Sequence, residues 1–267
     1  MITPIFNNYN QPTFNANLAS PRLKSCAEDF FIKIEGYGKD KFWAEEIVET
    51  TESATRMIWK NKDIEKILFS ISLSVAAANK SSTDISKAIK SGVLRTFRPD
   101  WIGTDEKEVF TPYDKGRYSV YKDRLNEIFE KPLKEINNKI GMTRPNGKED
   151  IQHGEAKKIN SSLDYIFELF NKNIKPYTDG SATKDDLKNI TDSIAEIRWI
   201  LAHSTPWLRG SDAISNVLMR ALFKSVGIKA YPPAENISYD FEAYCRDLQD
   251  YKDNFSSFFE KPLEIIE

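Results

Sequence analysis

The stretch that most constrains this chain runs Ala195-Glu-Ile-Arg-Trp-Ile-Leu-Ala-His-Ser-Thr-Pro-Trp-Leu-Arg-Gly-Ser-Asp-Ala-Ile-Ser-Asn-Val-Leu-Met-Arg-Ala-Leu222. Before Pro206, Ile190, Ile194, Ile197 and Leu201 recur on one face of a 3.6-residue helix. After it, Ile214, Val217, Leu218, Ala221 and Leu222 do the same. Proline has no N–H and clashes with the turn before it, so the two runs cannot be one helix. The pattern predicts a helix, a tight polar loop and a second helix, with Ser211 or Asp212 as its N-cap and Gly227 as its stop. A loop feeding a helix N-terminus offers unpaired backbone N–H groups at the positive end of the dipole, which suits an anion. An ordinary helical corner has the same pattern.

The 267 residues are enough for one large domain or two small ones. With 38 basic and 40 acidic residues the net charge is −2, which implies no bulk attraction to nucleic acid or membrane. Two histidines (His153, His203) and two distant cysteines (Cys26, Cys245) argue against a His/Cys metal site and against a disulfide framework. No apolar run is long enough to span a bilayer, and no signal peptide is visible.

Residues 1–24 are rich in Asn, Pro, Thr and Ser, a composition that reads as a disordered leader. It resembles both a type III secretion signal and a plain floppy terminus. From Cys26 the pattern is mainly helical. Helices are expected over Trp43–Trp59, over Ile64–Ala78 as a buried central helix, and briefly over Asp84–Ile89. Thr96–Ile102 is aromatic and extended, Gly103–Lys107 is a polar tip, and Val109-Phe110 follows, so Phe97–Phe110 reads as a short β-hairpin. Further helices are expected over Tyr113–Lys139 with a break at Pro132, over Glu155–Asn171, and over Tyr239–Phe259. Gly141–Gly154 is expected to be a loop.

Three motifs in order resemble the Fic (Fido) family of AMP-transferring enzymes. Gly92-Val-Leu-Arg95, followed by the strand pair and Phe110-Thr-Pro112, is similar to that family's flap region. Ala195-Glu-Ile resembles the helix leading into its signature loop, His-Pro-Phe-x-(Asp/Glu)-Gly-Asn-Gly-Arg-x-x-Arg. Val226-Gly-Ile-Lys-Ala-Tyr-Pro-Pro233 resembles the Gly-Tyr-Pro-Pro after the next helix. On this register Thr205 stands at the catalytic histidine, Pro206 at the proline, Trp207 at the phenylalanine, Arg209 at the acidic residue and Gly210 at the first glycine. Ser211, Asp212 and Ala213 take the Asn-Gly-Arg positions, and Asn216 the final arginine. Threonine is no general base near neutral pH, and Arg209 would repel Mg²⁺, so neither ordinary AMP transfer nor Mg²⁺ is expected. His203 is two residues out of register and reads as a surface or capping residue. The degenerate pattern resembles the AvrB-type avirulence effectors of bacterial pathogens.

The resemblance implies a mainly α, Fic-like (Fido) helical bundle over residues 25–267 with one short β-hairpin flap. It implies an effector secreted into the host cytoplasm, with the bacterial cytoplasm as the other location. Its candidate activity is transfer from a nucleotide or nucleotide-sugar donor to a host protein. Arg209, Gly210, Ser211, Asn216, Trp207 and Arg198 (or Arg220) would hold the donor phosphate and line its pocket. Thr205 and Asp212 would occupy the reacting centre, with Asp212 as base. Phe97, Trp101, Ile102, Val109 and Phe110 would align the target by strand addition. No metal, nucleic acid or membrane span enters this reading. The other readings are an inactive Fic-fold module that recognises a host or partner protein, and a helical protein unrelated to Fic.

Overall fold

The computed structural model describes residues 20–37, 39–79, 89–96, 109–113, 116–147 and 149–266. The short 3₁₀ turns Pro21–Leu23 and Ala27–Phe30 come first, and Leu23 is already buried, inside the segment read as a leader. Helix α1 (Lys41–Trp59) starts where the Asp40 carboxylate accepts the Trp43 N–H at 2.9 Å. It buries Ala44, Ile47, Thr51, Ala54, Thr55 and Ile58. The Thr51 and Thr55 hydroxyls donate to carbonyls one turn back, at 2.9 and 2.8 Å, so neither is orphaned in a dry interface. Helix α2 (Ile64–Asn79) packs on α1 through Ile67, Leu68, Ile71 and Val75. It is not a central helix: Phe69 and Leu73 are 63% and 55% exposed.

Strand β1 (Phe110–Pro112) leads to a 3₁₀ turn and then helix α3 (Lys122–Glu130). The helix expected to run to Lys139 stops at Glu130, because Lys131 precedes Pro132, which disfavours the helical conformation there, and Lys131 sits at φ −136°, ψ 81°. The expected loop Gly141–Gly154 carries a hairpin, β2 (Arg144–Asn146) and β3 (Asp150–Gln152). The sheet is antiparallel in the order β1-β3-β2, with Thr111 opposite Ile151 and Pro145 opposite Ile151. Thus β1 pairs with β3. Of the expected hairpin, Phe97, Trp101 and Ile102 lie outside the described residues, as does most of Asp84–Ile89.

Helix α4 (Ile159–Leu169) runs through a π turn, Phe170–Ile174, toward the central pair. That pair is α5 (Leu187–Ser204) and α6 (Ser211–Ser225), as the apolar spacing predicts. Both are buried nearly all round, since α1 and α2 cover α6 while α4 and two later helices cover α5. Strand β4 (Ile228–Lys229) follows, then α7 (Tyr239–Tyr244), α8 (Leu248–Asn254) and β5 (Glu264–Ile265), which pairs with β4. The helix expected over Tyr239–Phe259 is broken between Tyr244 and Leu248, where Asp247 leaves the helical conformation (φ −59°, ψ 155°) and the Arg246 carbonyl accepts the buried Trp199 indole N–H at 3.0 Å. Buried residues from Phe30 to Leu263 form one apolar cluster.

Several charged side chains within this cluster are held by a partner of opposite charge. Arg220 of α6 meets Asp29 at 3.3 Å, both nearly unexposed, and fastens the first turns to the core. Lys224 is paired with Glu52 of α1. Arg124 grips Glu242 with two hydrogen bonds of 2.8 and 2.9 Å. The described residues include no helix long and apolar enough to cross a membrane.

Candidate functional site

Helix α5 ends because Thr205 adopts a left-handed conformation (φ 40°) and Pro206 follows. The carbonyls freed at that end are not left bare. The buried Arg95 guanidinium donates through Nη1 to the carbonyls of Ser204 and Thr205, both at 3.1 Å, and of Gly154 at 2.9 Å. Backbone bonds then lay Gly92–Arg95 along the loop: Gly92 N–H to the Arg209 carbonyl, Leu208 N–H to that of Val93, and Arg95 N–H to that of Pro206. Gly92 sits at φ 72°, and a Cβ there would fall 2.5 Å from the Ser72 carbonyl oxygen. The Gly-x-x-Arg motif therefore has a local cause: glycine for the close approach, arginine for the stranded carbonyls.

Gly210 (φ 87°) turns the chain into α6 and is its N-cap, in place of the expected Ser211 or Asp212. Ser211 instead closes the loop, its Oγ accepting the Trp207 N–H and donating to the Trp207 carbonyl, each at 3.1 Å. The first bond of the helix runs from Ile214 N–H to the Gly210 carbonyl, which leaves the amides of Ser211, Asp212 and Ala213 outside the ladder. These residues border a cavity of about 720 Å³.

Thr205, Trp207, Arg209, Gly210, Ser211, Asp212 and Asn216 all line that cavity, so the structure brings together most of the site expected from sequence. Arg209 is exposed at its edge, while Trp207 is almost wholly buried and acts as a wall. The Asn216 Oδ1 is buried without a hydrogen-bond partner. The Thr205 hydroxyl donates to the Ala202 carbonyl at 2.8 Å, so its proton is committed to the helix end. Val109 and Phe110 are in the lining as well.

Arg198 is placed differently. It is buried behind the cavity, with Nη2 on Asp212 Oδ1 and Nη1 on Asp240 Oδ1, both at 2.5 Å. It holds the two lining carboxylates and does not itself line the cavity. Arg220 is also absent from the lining, being paired with Asp29. Burial pushes the Asp212 carboxyl up from its ordinary value, and Asp240 adds to this while Arg198 opposes it. Although 41% of its side chain is open to the cavity, protein packs around the rest of it. A carboxyl so raised can take and return a proton near neutrality.

Several lining residues had no sequence signal. Tyr37, Trp43 and Asp40 come from the chain ahead of α1 and its first turn. The Arg117 guanidinium lies 4.3 Å over the Tyr37 ring and 4.9 Å over that of Tyr118, which stacks on Phe241 at 4.3 Å. His153, at the end of β3, meets Thr111 Oγ1 through Nε2 at 2.8 Å, and its buried Nδ1 has no partner. Burial, with Arg95 nearby, pushes it down to about 3. His203 is not the surface residue expected from its position but is completely buried. Its Nε2 faces the Ala243 carbonyl at 3.1 Å, and its Nδ1 accepts the Thr143 N–H at 3.3 Å. These contacts between distant segments leave no spacing pattern in a sequence.

Compared with known proteins, the chain matches a family model, AvrB_AvrC, described as an avirulence protein, over residues 114–262. That is 149 of the 267 residues, more than half, and it takes in the whole α5–loop–α6 unit. No curated protein matches the chain.

Proposed function

The chain belongs to the AvrB_AvrC avirulence family, and we propose that it is a bacterial effector delivered into a host cell, where it transfers a group from a nucleotide or nucleotide-sugar donor to a host protein. The observation that carries this reading is the convergence of Arg209, the open amides of α6 and an aromatic wall on one cavity of about 720 Å³, within the range of about 300–1,000 Å³ used by cofactor-sized ligands. Arg209 and the α6 N-terminus take the donor phosphates. Asp212 serves as the base for the acceptor hydroxyl, and Asn216 offers an unpaired acceptor to the donor. Thr205 lines the reacting centre without supplying a proton acceptor, so the reading leaves out ordinary AMP transfer. The resemblance of the loop's sequence to the Fic signature supports the same assignment. The residues about Val109 and Phe110 meet the target chain, and no Mg²⁺ is needed because Arg209 supplies the positive charge.

Calorimetry with ATP, UTP and a panel of nucleotide sugars tests this reading. One of them should bind more tightly than about 1 mM, and Arg209→Glu should abolish that heat. If no donor binds at that level, the donor reading is overturned.

A second reading is favoured by the commitment of the Thr205 proton: the fold recognises a host protein and makes no bond. Under it, Arg209→Glu leaves partner capture intact and no nucleotide binds.

A further inference from the structure

The β2–β3 hairpin begins and ends on one residue of the central helix. At its first stem, Thr143 presents both its N–H, at 3.3 Å, and its Oγ1, at 2.6 Å, to Nδ1 of His203. At its second stem, the Gly154 N–H donates to the His203 backbone carbonyl at 3.0 Å. The far side of the imidazole fixes its tautomer. Nε2 faces a carbonyl, that of Ala243 in α7, which can only accept, so the ring proton sits on Nε2 and Nδ1 keeps its lone pair for Thr143.

The hairpin in turn carries the cavity wall. Strand β3 pairs with β1, whose Thr111 lines the cavity with its neighbours Val109 and Phe110, and His153 follows β3 directly. We propose that His203 is a positioning residue: its neutral imidazole clamps the first stem of the hairpin, sets the wall built on β1 and β3, and lets that stem go when it takes a proton. The inference is independent of which donor the cavity holds, because it concerns the wall alone.

The surroundings of the ring make protonation disruptive. The groups facing it are the Trp199 ring at 4.0 Å on its own helix, Tyr244 of α7 at 5.8 Å, His153 beyond β3, and Thr143. The Arg95 guanidinium bonds the adjacent Ser204 and Thr205 carbonyls. A proton on Nδ1 would be set against the Thr143 N–H. Burial already holds the imidazole well below its ordinary value, to about 3.

Two substitutions separate the two ring nitrogens. Asparagine places an acceptor near the Nδ1 position and cannot be protonated, whereas glutamine reproduces only the Nε2 donor. Hydrogen exchange of the full chain at pH 7 should show His203→Asn keeping protection over residues 141–147. His203→Gln should lose about ten-fold there, the worth of one buried hydrogen bond left unmade. Protection of α6 should stay unchanged in both. In the wild type, on acidification, the same segment should lose protection before α6 does, and His203→Asn should remove that early loss. Long-range ¹H–¹⁵N spectra of the wild type should show the proton of His203 on Nε2.

Equal protection in the two variants, loss in α6 together with the hairpin, or a proton on Nδ1 would each overturn the proposal. If either variant does not fold, the wild-type tautomer and the order of acid release decide it.

Discussion

Gly92 and Gly210 both sit in the left-handed region, yet their substitution should not be equally harmful. A Cβ at Gly92 meets a backbone carbonyl of α2 at 2.5 Å, while one at Gly210 meets the rotatable Ser91 Oγ at 3.3 Å. Denaturant unfolding should therefore show Gly92→Ala destabilised by about 3 kcal/mol or more and Gly210→Ala by about 1–2 kcal/mol. A similar distinction applies to Arg220. Replacing it by methionine strands the buried Asp29 carboxylate, which should cost about 3–5 kcal/mol. Joining Asp29→Asn to it should recover much of that loss, and a double-mutant cycle read by chemical denaturation measures the coupling.

At the scale of the elements, what sequence reveals is what repeats. Ile190, Ile194, Ile197 and Leu201 mark α5 because a helix returns each to the same face, and Pro206 marks its end for a reason local to one ring. The loop was legible as the break between two periodic runs, whereas the candidate residues from Thr205 to Asn216 were picked out by the resemblance to the Fic signature loop and not by any repeat. The sheet was not legible: each strand has three residues, too few for an alternating pattern, and β1 takes its partner from 150–152 instead of from its sequence neighbours. Arg198 was named from sequence for the donor phosphate, but its place is behind the cavity, between Asp212 of α6 and Asp240 of α7, two carboxylates that only the fold brings together. That junction predicts a pH signature. In Arg198→Gln the two carboxylates face each other without a cation, and one of them stays neutral by keeping a proton that the unfolded chain would release. The folded form then binds more protons, so stability falls as pH rises through that window. Thermal unfolding should show a larger deficit from wild type at pH 7.5 than at pH 5.

For the whole molecule the histidines act in the opposite sense. His153 and His203 ordinarily take a proton near 6.5, and in the fold only near 3. Between those values the unfolded chain binds more protons, so their contribution is complete above about pH 6.5 and lost as pH falls. Each should remove about 1.4 kcal/mol per pH unit in that interval. Urea titrations at pH 7, 6 and 5 should show a midpoint that drops ever more steeply, and the drop should be shallower in a variant lacking either imidazole.

The cavity also has a direction. Arg209 and Arg117 stand exposed at its edge, while Asp212 and Asp240 stand together before a single buried arginine. An anionic ligand entering this cavity would be drawn toward Arg209 and Arg117 and repelled by Asp212 and Asp240, so the two pairs of charges bias its orientation while it is still arriving. Orientation of this kind acts on the encounter more than on the final grip. Raising ionic strength should slow association while leaving the lifetime of the complex nearly unchanged.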